Sequence, residues 1–335
     1  MRGNSKRPIL VVEQLKKHYP VRGGVFGGKV GNVRAVDGVS FSVNEGETLG
    51  LVGESGCGKS TLGRTLMRLE EPTEGTVFFE GKDMAHAGRA ALFRLRREIQ
   101  MIFQDPYSSL NPRMTVGEIV REPLLVHQIG TKAEQIQKVR ELFEVVGLNG
   151  DMVERYPHEF SGGQRQRIGI ARALALGPKL IIADEPVSAL DVSVQSQVLN
   201  LMVHLQRDRN LAYVFISHDL SVVEHISDTI AIMYLGRIVE KGPVEAIFEN
   251  PRHPYTRALI EAAPVPDPRR RHEVAPLEGE TPSSVSPPSG CTFHTRCPFV
   301  IDECRASVPV LEDVGETNGL PTPEHLAACI RQHEI

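Results

Sequence analysis

The stretch that decides the fold runs from Thr48 to Thr61 and reads TLGLVGESGCGKST. Its apolar first part, Thr48–Gly53, predicts a buried strand, and a helix is predicted from Ser60 onward. Between them lies the pattern G-x-x-x-x-G-K-S, whose glycines let backbone N–H groups turn inward around phosphate oxygens. Lys59 would reach the β- and γ-phosphates of a nucleotide, and Ser60 would hold Mg²⁺. A chance Gly-rich turn rarely has both a strand before it and a helix after it, so we interpret this segment as a phosphate-binding loop.

The rest of the chain predicts an α/β architecture. Short apolar runs at Leu180–Ala183, Ala212–Ser217 and Thr229–Tyr234 predict buried strands, and Val192–Arg209 has helical character. Buried strands separated by helices indicate a parallel sheet that is covered on both faces. In three further segments apolar and polar residues alternate more regularly, which predicts a small antiparallel sheet: Ile9–Leu15, Val33–Val43 and Thr76–Gly81. Residues 115–157 are mostly helical in character, with Gly147 and Pro157 as breakers.

Composition limits the class of protein. The chain has 335 residues, 41% hydrophobic and 24% charged, and its net charge is −4, which argues against a nucleic-acid-coating surface. No run of 18 apolar residues exists, and the N-terminus lacks an apolar signal region, so we expect a cytosolic protein whose membrane role comes through a partner. Residues 263–335 hold 11 of the 23 prolines. This predicts a compact domain over 8–262, a Pro/Ser-rich linker over 263–290 and a Cys-rich tail over 291–335.

Polar side chains follow several of the predicted strands. Asp184 and Glu185 end the strand that begins at Leu180, where ligands bind in open α/β sheets. Asp184 could hold Mg²⁺, and Glu185 could deprotonate a water that attacks a γ-phosphate. His218 follows the next strand, and Gln104 follows the short apolar run Met101–Phe103. Alone, each residue could be a solvated side chain at a strand end, and only the phosphate-binding loop makes the catalytic interpretation the stronger one.

A second anion-binding helix terminus is predicted at Phe160–Arg167, which reads FSGGQRQR. Ser161 would cap the helix, and two glycines would leave its first N–H groups open. One phosphate-binding core needs only one such site. The simplest explanation is that this second site serves a nucleotide held by another subunit.

With these motifs in this order, residues 8–262 resemble the ATP-binding subunit of an ABC transporter. FSGGQ stands for the family signature, and the loop Ser188–Asp191 lies between Glu185 and His218 as in that family. The stretches AVDGVSFSV, QDPYSSLNPRMTVGEI and HPYTRALIEAAP, and the tail GCTFHTRCPF, resemble the dipeptide/oligopeptide importer branch. Within that branch they are most similar to the second of the two ATP-binding subunits, which is called the F-type subunit. The resemblance implies a RecA-like P-loop NTPase core with an antiparallel β subdomain and a helical subdomain over about 106–160.

The resemblance also assigns roles to residues, because two such ATPases sandwich two ATPs head to tail. The chain's own ATP would be bound by Tyr19, Gly53, Ser55, Gly56, Cys57, Gly58, Lys59, Ser60, Thr61, Gln104 and Asp184. Mg²⁺ would be held by Ser60, Gln104 and Asp184, and catalysis would use Glu185, His218 and Gln104. The partner's ATP would be contacted by Ser161, Gly162, Gly163 and Gln164, with Asp191 in the loop that crosses the dimer. For Cys57 the better interpretation is a tolerated small side chain, because the backbone of the loop binds the phosphates.

The expected partners are a second ATPase subunit, two transmembrane permeases and, through them, an extracytoplasmic solute-binding protein, with no nucleic acid. The chain is expected at the cytoplasmic face of the inner membrane. Import of nickel or another small solute is an alternative. A soluble ABC ATPase of DNA repair would carry a long coiled coil, and the roughly 100 residues between Ser60 and Ser161 show no sustained heptads. Translation factors carry two cassettes, and exporters are usually fused to membrane helices, so both fit less well.

Four of the five cysteines lie in the tail, as Cys291-x5-Cys297-x6-Cys304-x24-Cys329. Four thiolates could hold a [4Fe–4S] cluster or zinc, although the short C-x2–4-C hooks of zinc sites are absent. Disulfides are disfavoured in the cytosol, and four free thiols also fit the spacing. The chemistry of the four thiols supports a cluster and zinc about equally. The resemblance to peptide-importer ATPases favours the cluster.

Overall fold

The computed structural model describes residues 7–23, 28–105, 107, 109–262, 279–314, 316–317, 320–321 and 324–334. Part of the predicted linker, 263–278, lies outside the described residues, as do 24–27 in the Gly-rich stretch after Tyr19. Two positions of the predicted helical region, Pro106 and Ser108, also lie outside them.

The described part of the chain alternates strands and helices, as predicted. The strands are β1 Pro8–Gly23, β2 Gly28–Asn44, β3 Thr48–Val52, β4 Glu74–Phe79, β5 Lys82–Asp83, β6 Ile99–Ile102, β7 Leu180–Asp184, β8 Ala212–Ser217, β9 Thr229–Tyr234, β10 Arg237–Pro243, β11 Glu312–Asp313, β12 Glu316–Thr317, β13 Leu320–Pro321 and β14 Leu326–Ala327. The α-helices are α1 Lys59–Leu66, α2 Arg89–Glu98, α3 Val116–Val126, α4 Lys132–Val145, α5 Gly162–Leu174, α6 Val192–Arg209, α7 Leu220–Ile226, α8 Val244–Glu249, α9 Pro254–Ala262 and α10 Asp302–Ala306. Two 3₁₀ helices span Gly150–Glu154 and Pro157–Glu159.

Two compact units divide the chain. The first comprises Met1–Leu10, Val43–Thr48 and Phe78–Ile216, and the second comprises Val11–Ser42, Leu49–Val77 and Ser217–Ile335. The boundary expected near residue 262 lies within the residue range of the second unit and stays a prediction. None of the helices in the described ranges is long and apolar enough to cross a membrane.

The first unit contains a buried parallel sheet. β6, β7 and β8 are neighbours in that order, with Ile99 opposite Leu180 and Leu180 opposite Ala212. Every residue of β7 and β8 is buried, which explains their uninterrupted apolar sequences. The predicted helical region is built from α3, α4 and the two 3₁₀ helices. Each α-helix begins at a capping box, with Thr115 and Glu118 for α3 and Thr131 and Glu134 for α4.

The second unit contains a mixed sheet with the strand order β3–β9–β10–β14–β11. β3 and β9 are parallel, whereas β9–β10, β10–β14 and β11–β14 are antiparallel. β1, β2 and β4, most of whose residues lie in this unit, form a separate sheet ordered β2–β1–β4. The sequence predicted these last three strands but underestimated β1 and β2, which are 16 and 17 residues long.

A buried polar pair attaches the end of the chain to β10. Glu240 and His325 are both fully buried, and His325 Nε2 donates to Glu240 Oε1 at 2.7 Å. The Glu240 carboxylate also accepts hydrogen bonds from the backbone N–H groups of Arg252 and His253. Next to this pair, the N–H of Ala328 donates to the carbonyl of Val239 at 2.8 Å. The Cys-rich tail is therefore bonded to the mixed sheet of its own unit.

Candidate functional site

The phosphate-binding loop has the strand-to-helix context that its sequence predicts. The loop follows β3 and ends at α1, and two of its glycines, Gly56 and Gly58, have φ of +80° and +107°. A Cβ at Gly58 would lie 1.9 Å from the carbonyl oxygen of Ala35, and one at Gly53 would lie 2.1 Å from that of Met233. Glycine is therefore needed at Gly53 for space, and at Gly58 for both space and backbone angle.

Lys59 is held inside this loop. Its side chain is 4% exposed, and its ammonium donates to the carbonyl oxygens of Gly53 at 2.6 Å and Glu54 at 3.0 Å. Cys57 is also buried, and burial raises the pKa of its thiol. Ser55 and Gly56 are exposed at the tip of the loop. Ser60 and Thr61 lie in the first turn of α1, where the positive end of the helix dipole favours an anion.

Three residues that the sequence analysis missed also contact this loop. Tyr255 Oη accepts a hydrogen bond from the N–H of Glu54 at 2.9 Å, and Thr281 and Arg296 both donate to the Glu54 carboxylate. They lie 201 to 242 positions from Glu54 in the chain. Tyr255 and Arg296 belong to the stretches HPYTRALIEAAP and GCTFHTRCPF, but nothing in those stretches indicates a contact with the loop. Burial alone would raise the pKa of Glu54, but Arg296 and Thr281 hold it below its usual value.

Gln104 and Glu185 lie together at the carboxyl ends of β6 and β7. Gln104 Nε2 donates to Glu185 Oε2 at 2.8 Å. Asp184 is 2% exposed as the last residue of β7, and Glu185 has a left-handed backbone with φ of +46°. The N–H of Glu185 donates to the carbonyl of Ile216 at 2.9 Å, which holds this turn against β8. A carboxylate oriented in this way can accept a proton from a water molecule.

His218 follows β8 directly and is exposed. The turn after it is stabilised by hydrogen bonds, since the N–H of Asp219 donates to Ser217 Oγ at 3.0 Å. Asp219 then caps α7 by accepting from the N–H of Ser221 at 2.9 Å.

The FSGGQ segment forms the capped helix start that its sequence predicts. Ser161 caps α5 in a capping box with Gln164, whose side chain accepts from the N–H of Ser161 at 3.0 Å. Ser161 and Gly162 are exposed, whereas Gly163 is buried, and a Cβ there would lie 2.3 Å from Val194 Cγ1. Asp191 is exposed at the start of α6.

Tyr19 is half-buried in the second half of β1, and the Lys17 ammonium lies 4.8 Å from the centre of its ring. Tyr19, the phosphate-binding loop and His218 belong to the second unit. Gln104, Asp184, Glu185, the FSGGQ segment and Asp191 belong to the first.

The four tail cysteines line one cavity, together with Phe293, Phe299 and Ile330. Burial raises the pKa of Cys291 and of Cys329 to about 11, and it also raises the pKa of Cys297. Backbone N–H groups two positions on, at Phe293, Phe299 and Arg331, hydrogen bond to these three sulfurs and oppose the rise. Across the described ranges, no three His, Cys, Asp or Glu side chains converge closely enough to hold a single metal ion.

Comparisons with known proteins give two family matches and many relatives. Residues 36–188 match the family model for ABC transporters, and residues 239–304 match the model for the C-terminal region of oligopeptide/dipeptide transporters. A probable peptide ABC transporter ATP-binding protein of Sinorhizobium fredii is 59% identical, over 90% of this chain and 86% of its own length. The oligopeptide transport ATP-binding protein AppF of Bacillus subtilis is 52% identical, over 98% and 99%. A dimeric, post-hydrolysis structure of the ATP-binding cassette MJ0796 with ADP and phosphate is 28% identical, with a TM-score of 0.63, over 70% of this chain and 98% of that one.

Proposed function

This chain belongs to the ATP-binding subunits of the oligopeptide/dipeptide group of ABC transporters, and we propose that it hydrolyses ATP to power the import of di- or oligopeptides. The observation that carries hydrolysis is the 2.8 Å hydrogen bond between Gln104 and Glu185 beside the buried Asp184. Peptide as the cargo is supported by the match of residues 239–304 and by the descriptions of the relatives.

ATP binding uses the groups that the phosphate-binding loop presents. Backbone N–H groups between Gly53 and Ser60 and the start of α1 bind phosphate oxygens, and Lys59 moves from the loop carbonyls to the β- and γ-phosphates. Tyr19 stacks on the adenine ring. Ser60, Gln104 and Asp184 offer the hydroxyl, amide and carboxylate oxygens that suit Mg²⁺. Mg²⁺, when bound with ATP, neutralises charge on the phosphates.

Hydrolysis places the proton of the attacking water on Glu185. The Glu185 carboxylate accepts that proton, and Gln104 bonds to one of its two oxygens. Gln104 fixes the rotation of the carboxylate and contacts the same water. His218 donates a hydrogen bond to the γ-phosphate, where negative charge grows in the transition state.

A second ATPase subunit completes each site. Ser161, Gly162, Gly163 and Gln164 contact the partner's ATP, and Asp191 lies in the loop between the subunits. The exposure of Ser161 and Gly162 at a capped helix start supports this, because the positive end of the helix dipole there favours an anion. The partner is a different chain of the same family, so the pair is a heterodimer.

Two transmembrane permeases bind the helical region over about 106–160, and an extracytoplasmic solute-binding protein delivers the peptide to them. The chain then resides peripherally at the cytoplasmic face of the inner membrane.

The test is peptide uptake and phosphate release by the assembled transporter in lipid vesicles, with Glu185→Gln as the variant. The substitution keeps size and hydrogen bonding but removes the base, so turnover is expected to fall about 100-fold or more while ATP still binds. Glu224→Gln, at an exposed glutamate of α7, is the matched control and is expected to leave turnover and ATP binding unchanged. Near-normal turnover of the Glu185→Gln variant would refute the assignment, and uptake of nickel but not of peptides would refute the cargo.

The four tail cysteines hold a [4Fe–4S] cluster in this proposal. Four thiols face one cavity, three of them with N–H···S hydrogen bonds, which tune and stabilise such clusters. Zinc requires four ligands about 2.3 Å from one point, whereas a cluster distributes its thiolates over four irons. Thiols that surround a shared cavity without converging on one point therefore fit the cluster better than zinc. The cluster would cross-link a segment that has short strands and little apolar core.

Anaerobic purification followed by iron, sulfide and zinc analysis and a visible spectrum tests this centre. About four irons and four sulfides per chain are expected, and Cys304→Ser is expected to lose them. Cys57→Ser is the matched control, because Cys57 lies in the phosphate-binding loop and does not line the cavity. A colourless protein with stoichiometric zinc, or with no metal, would refute the cluster.

A further inference from the structure

Residues of the Cys-rich tail, of the linker before it and of helix α9 bond to Glu54 in the phosphate-binding loop. Arg296 Nη1 donates to Glu54 Oε2 at 2.9 Å, and Arg296 Nη2 donates to Glu54 Oε1 at 3.1 Å. Thr281 Oγ1 donates to Oε2 at 2.8 Å, and Tyr255 accepts from the Glu54 N–H at 2.9 Å. Both carboxylate oxygens and the backbone N–H of Glu54 are therefore bonded to residues outside the loop.

The side chain of Arg296 is itself buried beside an aromatic cluster formed by Tyr234, Tyr255 and Phe293. The Arg296 side chain is only 6% exposed, and its guanidinium lies 5.9 Å from the centre of the Tyr234 ring. Phe293, three residues earlier, contacts the rings of Tyr234 and Tyr255 with centroid distances of 5.3 and 5.4 Å. A two-pronged arginine–carboxylate pair fixes orientation as well as distance, so Glu54 is fixed relative to this aromatic cluster.

The position of Glu54 affects several groups that bind the nucleotide. Its carbonyl oxygen and that of Gly53 hold the Lys59 ammonium, and the N–H groups that follow it bind phosphate. Its carboxylate also carries a negative charge close to where a triphosphate binds, and Arg296 neutralises that charge. Loss of Arg296 would both free the loop and leave this charge unpaired, and either change weakens the binding of a polyanion.

We infer that Arg296 is a positioning residue of the nucleotide site, which makes the Cys-rich tail a structural part of ATP binding. This inference rests on the proposed ATPase function of the loop. Thr281 and Tyr255 assist Arg296, since Thr281 bonds to the Glu54 carboxylate and Tyr255 bonds to the Glu54 N–H. Arg296 directly precedes Cys297 in the chain. A structural change at Cys297 in the Cys-rich tail would therefore displace the Arg296 side chain and, with it, the Glu54 carboxylate of the phosphate-binding loop.

Calorimetric titration of the full chain with Mg–ATP tests the inference, together with hydrogen exchange of the loop amides. Arg296→Met is expected to raise the Kd about tenfold or more, the scale of one lost charge-assisted hydrogen bond, and to speed exchange over residues 53–60. Arg296→Lys keeps the charge but loses the second hydrogen bond to the Glu54 carboxylate. The Kd of this variant is therefore expected to lie between those of the unaltered chain and of Arg296→Met. Arg331→Met is the matched control, because the Arg331 side chain bonds to Phe299 and Glu334, which both lie in the tail.

The outcomes separate the inference from the proposed function. If the unaltered chain fails to bind Mg–ATP, the proposed function is wrong. If it binds and Arg296→Met binds equally well, the positioning role is wrong. If Arg331→Met weakens binding as much as Arg296→Met, the effect is a general loosening of the tail, and the inference is also overturned. Thermal unfolding of each variant identifies one that does not fold, and Arg296→Lys then replaces Arg296→Met as the deciding variant.

Discussion

Replacing Gly58 by alanine tests whether the shape of the phosphate-binding loop depends on a missing side chain, and Gly56 provides a control in the same loop. Their φ angles of +107° and +80° both strain an L-residue, at a cost of about 1–2 kcal/mol. Only at Gly58 does the new Cβ meet backbone, at 1.9 Å from the oxygen of Ala35. At Gly56 no described atom lies within 4 Å.

The expected magnitudes follow from these distances. Real Cβ contacts are essentially never under 3.0 Å, so the loop around an alanine at Gly58 must move by about 1 Å. Overpacking of this kind costs about 1–3 kcal/mol beyond the backbone strain. Gly58→Ala is therefore expected to lower the free energy of unfolding by about 2–5 kcal/mol, against about 1–2 kcal/mol for Gly56→Ala. A displacement of about 1 Å at the loop also predicts a loss of ATP turnover of about 100-fold.

Urea unfolding of both variants without nucleotide measures the first expectation, and steady-state phosphate release from assembled transporters that carry Gly58→Ala measures the second. The comparison of stabilities uses the nucleotide-free protein because a methyl group at the exposed Gly56 could touch a bound phosphate. Equal unfolding midpoints for the two variants would refute the argument from the Ala35 contact. Normal turnover with Gly58→Ala would refute the argument that the loop must keep this shape.

Three further predictions concern other parts of the chain. Ser161→Arg is expected to leave ATP binding by the isolated chain intact but to abolish ATP-driven closure of the assembled complex, measured by crosslinking, and a collapse of isolated-chain affinity would contradict the role in trans. Tyr19→Ala is expected to raise the Kd for ATP about 5- to 150-fold in a calorimetric titration, from lost stacking worth about 1–3 kcal/mol. Burial alone would raise the pKa of Asp37, but Arg237 and His18 hold it below its usual value. The ionised Asp37 therefore stabilises the fold above about pH 4, and this stabilisation is lost as pH falls through the lowered pKa. Asp37→Asn is therefore expected to flatten the acid limb of stability in urea unfolding from about pH 3 to 6, and an unchanged limb would contradict this.

Elements with strong local signals were predictable from the sequence. α6 and β8 have the predicted bounds, and β7 differs by one residue, because buried parallel strands and a long helix have unambiguous apolar patterns. The capped start of α5 followed from Ser161 and its two glycines. β1 and β2 were underestimated because their outer parts include a Gly-rich stretch that predicts a turn rather than a strand.

Features that depend on distant partners were not predictable. The left-handed backbone of Glu185 has no local signal, since glutamate seldom adopts it, and the hydrogen bond to Ile216 that holds it comes from the next strand. The contact of Arg296 with Glu54 joins residues 242 positions apart. Long-range pairs of this kind are set by the packing of whole elements, which a single sequence does not reveal.

The pairing of β14 with β10 also gives the end of the chain a protective role. β10 is almost fully buried, and its backbone would present an open edge if the residues around Leu326 and Ala327 were removed. An unpaired apolar edge is a template for pairing with another chain, which is a route to aggregation. Proteolytic removal of the residues from Leu326 onward would therefore expose this edge, and we expect the shortened protein to aggregate.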